Sequence, residues 1–280
     1  MERISVIPGN RLWSFTTQEV SLIPSCSQLE QTIYFWAPEG GSGHILLAHD
    51  GQNIFDRRTA SFIYTWKLAQ ACQRVAHEIG IKPPLIIGIF HSSTKQDPNG
   101  RAKDLCPEDP FREGMKPTSP PLFSVDELHG NTYLKEIFTE ILPEIAAISH
   151  TTYQPERTAM IGSSMGGLAT LYAAIKHSEK FHTALALSPH WTLAGDPLVD
   201  WVIPKLPNEK HFKIWMSRGT KSLDALYEPH QDRADKLMME SGWDSQRFVS
   251  KVFHRTTHNE RSWSRYVDQA IRFWLNQRSR

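Results

Sequence analysis

The sequence predicts an α/β fold, a mostly parallel central sheet with helices on both faces. Three observations carry that expectation. Short, almost wholly apolar runs such as Leu85 to Phe90, LIIGIF, mark strands buried on both faces. Segments with apolar residues three and four apart, such as Phe62 to Ile79, lie between such runs. Strand-like and helix-like segments also alternate along the chain, the order that builds a parallel sheet. No internal repeat, low-complexity tract or linker divides the 280 residues, so one domain over 1–280 is expected.

The elements follow in order. The N-terminal third reads as strands at Ser14 to Val20, Gln31 to Trp36 and His44 to Ala48, each bounded by Gly, Pro or Ser. Phe62 to Ile79 reads as a helix that Gly80 stops. From His91 to Gly130 the chain turns polar and Pro-rich, which predicts a structureless excursion over about 91–130 that serves function or moves as a flap. Asn131 to Ile148 reads as helix, Arg157 to Ile161 as strand, Met165 to Lys176 as helix and His182 to Leu187 as strand. A second excursion covers about 189–210. Phe212 to Met216, Leu226 to Ser241, Phe248 to Phe253 and His258 to Asn276 then alternate as strand, helix, strand and helix.

Lys and Arg total 31 against 30 Asp and Glu, so no global field draws the chain to nucleic acid or to an anionic membrane. No apolar run approaches the roughly 20 residues that a spanning helix needs. The opening MERISVIPGNRLWSF lacks the pattern of a signal peptide, and the three scattered cysteines, Cys26, Cys72 and Cys106, suit reduced structural thiols. A cytoplasmic location is expected.

The stretch AMIGSSMGGLA, from Ala159 to Ala169, places a hydroxyl where a strand turns directly into a helix. Gly162 and Gly166 flank Ser164 at minus two and plus two, the G-x-S-x-G pattern of a nucleophile elbow, in which bulky neighbours would clash. Centring the motif on Ser163 would put Ile161 and Met165 at those small positions, so Ser164 is the expected nucleophile. A Gly-rich turn that binds phosphate or merely packs is the bland alternative.

Serine needs a base that an acid orients, and in this architecture the order is Ser, acid, His. His258 occupies the loop between the last strand and the last helix and is the expected base, with His254 as competitor. Asp224 is the first carboxylate after the strand Phe212 to Met216 and is the expected acid, with Glu228 next. The four-residue spacing of His254 and His258 lacks a third ligand, so no metal is expected, nor an organic cofactor. Two backbone N–H groups, those of Met165 and of Gln52 in His49 to Asp56, are the expected oxyanion donors. The DGQN of that loop also suits a plain turn. Trp191, just past a strand end, is expected either to line the substrate site or to pack the second excursion.

These residues resemble the putative-esterase branch of the α/β-hydrolase superfamily. The matching pieces are HDGQNIFD at His49 to Asp56, IGSSMGG at Ile161 to Gly167, and ALSPHW at Ala186 to Trp191. Two more are RGTKSLDALYEPHQ at Arg218 to Gln231 and HNERSWSRYVDQAIRFWL at His258 to Leu275. The resemblance implies an α/β-hydrolase fold, a serine carboxylic-ester hydrolase acting on a small-molecule ester, an acid at Asp224 and a base at His258. It also implies that Glu260 and Trp263 pack the start of the last helix. Arg101, Asp104 and Pro107 resemble the family's arginine-plus-acid segment but sit inside an unusually long polar loop. Acyl transfer to another acceptor, or a non-catalytic binding module, would use the same scaffold.

Overall fold

The protein's computed structural model describes residues 5–7, 12–16, 32–61, 63–119 and 124–276, the first two segments by backbone alone. Residues 17–20 of the first expected strand, together with Gln31, Cys26, Phe62, Pro120 and Pro121, lie outside the described residues.

Among the described residues one sheet runs in the order β1-β2-β3-β5-β4-β6-β7-β8-β9. Its strands are β1 Ser5–Ile7, β2 Leu12–Thr16, β3 Thr32–Trp36, β4 Ile45–Ala48, β5 Leu85–Ile89, β6 Thr158–Ser163, β7 Thr183–Leu187, β8 Lys213–Gly219 and β9 Phe248–Phe253. Strands β1 to β3 form an antiparallel edge, and β5 through β9 pair in parallel across β4. All residues of β4, β5, β6 and β7 are buried, as continuous apolar runs require.

The helices are α1 Leu68–Ile79, α2 Gly100–Leu105, α3 Glu108–Arg112, α4 Gly130–Glu136, α5 Leu142–Ile148, α6 Met165–His177, α7 Asp196–Val202, α8 Glu228–Glu240 and α9 Glu260–Leu275. Alternate residues of the strands bury against opposite layers. Leu46 and Ala48 join the core beneath α1 and α9, while Ile45 and Leu47 join the core beneath α4 to α8. Helix α9 buries Trp263, Tyr266, Val267, Ala270, Ile271 and Trp274, one face of a 3.6-residue repeat, and Asn259 caps it by accepting the Ser262 N–H. A π-helical turn, Ile137–Ile141, joins α4 to α5 where Pro143 has no N–H to continue the α ladder.

Two expectations change. The first helix begins at Leu68 rather than at residue 62, because Lys67 is left-handed at φ 53° and the Trp66 N–H is taken by Asn53 O at 3.0 Å. The 91–130 excursion is not structureless: it contains α2 and α3, and Thr118 Oγ1 joins it to the second excursion by donating to Thr192 O at 2.5 Å. Cys72 and Cys106 are buried free thiols, and burial pushes both well above the ordinary thiol range.

Parallel pairing puts the C-terminal ends of β4, β6, β7, β8 and β9 on one edge. The loops that follow these ends carry the candidate site, the usual place for one in an open α/β sheet. Among the described residues no helix is long and apolar enough to cross a membrane.

Candidate active site

Strand β6 ends at Ser163 and the chain turns at once into α6. Ser164, at the turn, has φ 56° and ψ −123°. Non-glycine residues rarely adopt this conformation, which costs on the order of 1–3 kcal/mol. Neighbours over-determine it: the Ser164 N–H donates to Leu187 O at 3.0 Å, and Ser164 O accepts from the His190 N–H at 3.1 Å. A Cβ on Gly162 would collide with the Gly166 backbone, and one on Gly166 would lie 3.2 Å from both His49 Cβ and Asp50 Oδ2. The steric demand read from the motif is therefore met by these two glycines. Ser163 is buried in the strand, whereas Ser164 is partly exposed.

The loops after β8 and β9 bring Asp224 and His258 together. His258 Nδ1 lies 2.6 Å from Asp224 Oδ1, and the carboxylate is fully buried. Asp224 Oδ2 accepts from the Gly219 N–H at 2.8 Å and from the Ser188 hydroxyl at 3.2 Å. An ionised carboxylate only accepts, so these partners assign the proton to His258 Nδ1 and leave Nε2 as the free base. A Cβ on Gly219 would stand 2.6 Å from both Asp224 Oδ2 and Thr256 O, so only glycine lets the two loops close. Thr220 and Lys221 N–H groups tie the loops by donating to Thr256 O at 3.2 and 3.1 Å. The competitors lie elsewhere: Glu228 is 61% exposed and pairs with Arg218, and His254 is exposed.

Among the described residues no hydrogen bond joins Ser164 Oγ directly to His258 Nε2. Both groups instead flank Tyr227. The Ser164 and Thr192 hydroxyls oppose the burial that raises the Tyr227 phenol, and the Tyr227 and His258 rings meet edge-on at 5.4 Å.

The loop after β4 lies against the elbow through Gly166. Asp50 is left-handed at φ 55°, and Gly51–Asn53 form one 3-10 turn. Gln52 in this turn and Met165 at the start of α6 have no N–H acceptor within their own elements, and neither donates to a described backbone group outside them. Arg101 from α2 clamps the loop, with Nε and Nη2 donating to the two Asp50 oxygens at 2.6 and 2.7 Å. Burial opposes ionisation of Asp50, but the Arg101 charge and hydrogen bonds win and hold its pKa below the ordinary value. On the other side Asn53 Nδ2 donates to Glu260 Oε1 at 3.2 Å, joining this loop to the start of α9. Burial raises Glu260.

A family model described as "Putative esterase" matches residues 29–273. The chain belongs to that family. It is therefore a carboxylic-ester hydrolase by membership. Solved structures share its α/β-hydrolase fold. The siderophore hydrolase EstA from Aspergillus nidulans is 16% identical, with 100% of each chain covered and a TM-score of 0.67. The enterobactin and salmochelin hydrolase IroE is 18% identical over 94% of this chain and 93% of its own, at TM-score 0.62. The enterobactin esterase FES from Shigella flexneri is 15% identical over 96% of this chain but only 60% of its own, at TM-score 0.63. No curated protein matches by sequence.

In this esterase Trp191 does not line the cleft. Its side chain is fully buried, and its Nε1 donates to Gln231 Oε1 at 2.9 Å. An indole whose only donor is satisfied in the interior packs the second excursion, the second of the two alternatives expected for Trp191. The neighbouring His190 reaches the site instead, with Nδ1 2.5 Å from the Tyr227 hydroxyl. The place of Tyr227 has a signal in the sequence, its spacing of three from Asp224. The 3-10 helix Ser222–Tyr227 stacks residues i and i+3, so Asp224 and Tyr227 share a face. Among the described residues no group of three or more His, Cys, Asp and Glu side chains is arranged to hold a metal.

Proposed function

We propose that this chain is a serine esterase, one domain that hydrolyses small-molecule carboxylic esters through a covalent acyl-enzyme. Ser164 Oγ attacks the ester carbonyl as His258 Nε2 takes its proton. Asp224 holds the imidazole in the Nδ1–H tautomer and stabilises the imidazolium. The N–H groups of Gln52 and Met165 receive the oxyanion, each worth about 3 kcal/mol in the best-measured example of such donors. His258 returns the proton to the leaving alcohol, water attacks the acyl-enzyme with His258 again as base, and the acid is released.

The observation that carries this reading is the 2.6 Å His258–Asp224 bond on the loops facing a serine held at φ 56°. The lack of a direct Ser164–His258 hydrogen bond among the described residues is compatible with it, since catalytic hydrogen bonds in empty sites are often long and tighten around substrate.

The test is steady-state hydrolysis of p-nitrophenyl acetate and butyrate, with enterobactin added because the relatives' names point to siderophores. Ser164→Ala, His258→Gln and Asp224→Asn should each lower kcat by roughly 10⁴-fold while the proteins stay folded. Dialysis against a chelator should leave the rate unchanged. A Ser164→Ala protein that keeps a tenth of the wild-type rate would refute the reading.

A further inference from the structure

His190 is the cleft group that the mechanism above leaves without a task. Its backbone is pinned on both sides. Its N–H donates to Ser164 O at 3.1 Å, and the following residue is anchored by the buried Trp191–Gln231 bond. The ring is oriented by Tyr227, which is fully buried, with its hydroxyl 2.5 Å from His190 Nδ1. Imidazole nitrogen is the better base of the two and phenol the better acid, so the O–H donates to Nδ1 and the proton of the neutral ring sits on Nε2. His190 Nε2 has no hydrogen-bond partner among the described residues and is not sealed from solvent. The result is a single donor, held in place and open beside the nucleophile.

The donor also keeps its charge state. Burial lowers the His190 pKa to about 4, and the neighbouring His258 and Arg101 charges push the same way. The ring thus stays neutral even when His258 becomes an imidazolium during turnover. A neutral donor suits a neutral acceptor.

Its shared neighbour with His258 points to one half of the ester. The leaving alcohol takes its proton from His258, so the alcohol oxygen must come within hydrogen-bond reach of that ring. Tyr227 contacts the His258 ring edge-on at 5.4 Å and the His190 ring edge-on at 5.8 Å. His190 and His258 thus border the same phenol ring, and the alcohol half is the part of the ester that the proposal below places against His190.

We propose that His190 is a specificity-determining residue whose Nε2–H donates to a neutral oxygen on the alcohol half of the substrate, two or three bonds beyond the ester oxygen. The proposal rests on the serine-esterase reading and names a substrate class for it: esters of alcohols bearing an ether, carbonyl or hydroxyl oxygen near the ester, in preference to plain alkyl esters.

Two acetate esters of equal size test this, 2-methoxyethyl acetate and n-butyl acetate. They form the same acetyl-enzyme, so the ratio of their kcat/KM values, followed by acid release in a pH-stat, reports alcohol recognition alone. His190→Leu, which fills the space without a donor, should lower the methoxyethyl-to-butyl ratio roughly three- to tenfold, the worth of one neutral hydrogen bond. His190→Gln, whose amide nitrogen can stand near the position of Nε2, should keep the ratio within about twofold of wild type. Tyr227→Phe, which retains the buried ring, should lower the ratio partway. It should also mix the His190 tautomers in long-range ¹H–¹⁵N spectra, where the wild-type ring shows Nε2–H. An unchanged ratio in His190→Leu and Tyr227→Phe, or a wild-type Nδ1–H tautomer, overturns the proposal while leaving the esterase reading intact. Failure of the wild-type protein to hydrolyse either acetate or to react with a fluorophosphonate at Ser164 overturns both together.

Discussion

At the scale of single residues, backbone strain falls on Ser164, the proposed nucleophile. Its φ of 56° is a glycine conformation imposed on a residue with a Cβ. Ser164→Gly should therefore raise the unfolding free energy by about 1 kcal/mol, read from urea midpoints, while abolishing ester hydrolysis. A destabilised variant would show that the turn is relaxed. Ser164, Asp224 and His258 were legible because each follows from local steric demand or from loop order, both of which are written along the chain. Tyr227 and His190 were not, because what joins them is a bond between the loops after β7 and β8. Trp191 stays two-sided in the sequence for a similar reason: being next to a strand end does not say whether a side chain faces the cleft or the core. Gln231, forty residues away, decides that by accepting the indole N–H.

At the scale of elements, the site depends on loops that cross-brace one another. Helix α2 fixes the loop after β4 through the Arg101–Asp50 ion pair, with the aspartate side chain 4% exposed. Arg101→Gln leaves that carboxylate buried with a weaker partner, which is the costly way to break a buried pair. The prediction is a 10- to 100-fold fall in kcat, measured on p-nitrophenyl acetate, as the Gln52 N–H loses its aim. A fall confined to KM would mean that Arg101 only touches substrate. Helix α2 itself was not legible, because Gly100–Leu105 is a six-residue helix in a Pro-rich setting and its hold on the fold is the long-range bond to Asp50. Longer elements with strong periodicity, such as α9 and β5, were read almost to the residue. The late start of α1 escaped because the apolar spacing continues through Ile63 and Trp66 although Lys67 breaks the backbone.

Across the whole molecule, the parallel sheet supplies the frame and its buried titratable groups set the pH response. Glu136 in α4 is 5% exposed, and burial, with Glu140 and Asp104 adding, raises its pKa from 4.5 to about 7. The folded state thus binds this proton more tightly than the unfolded state, so stability from Glu136 is highest below pH 4.5 and declines as pH rises to about 7. Glu136→Gln should remove that decline and gain about 3 kcal/mol at pH 8, with little change at pH 4. Urea unfolding at the two pH values checks it, and equal gains at both would contradict the assignment. The α/β order and the parallel core were readable from alternation alone. The antiparallel edge was not, because hairpin and crossover strands look alike in a short apolar run.

The proposed chemistry stands or falls with the Ser164 hydroxyl as a nucleophile activated by His258. Intact-mass and peptide-mapping analysis after a timed fluorophosphonate reaction tests it most directly. One adduct is expected, on Ser164, absent from Ser164→Ala and formed at least 100-fold more slowly in His258→Gln. Labelling that persists in Ser164→Ala, or that proceeds at the wild-type rate without the imidazole, would contradict it.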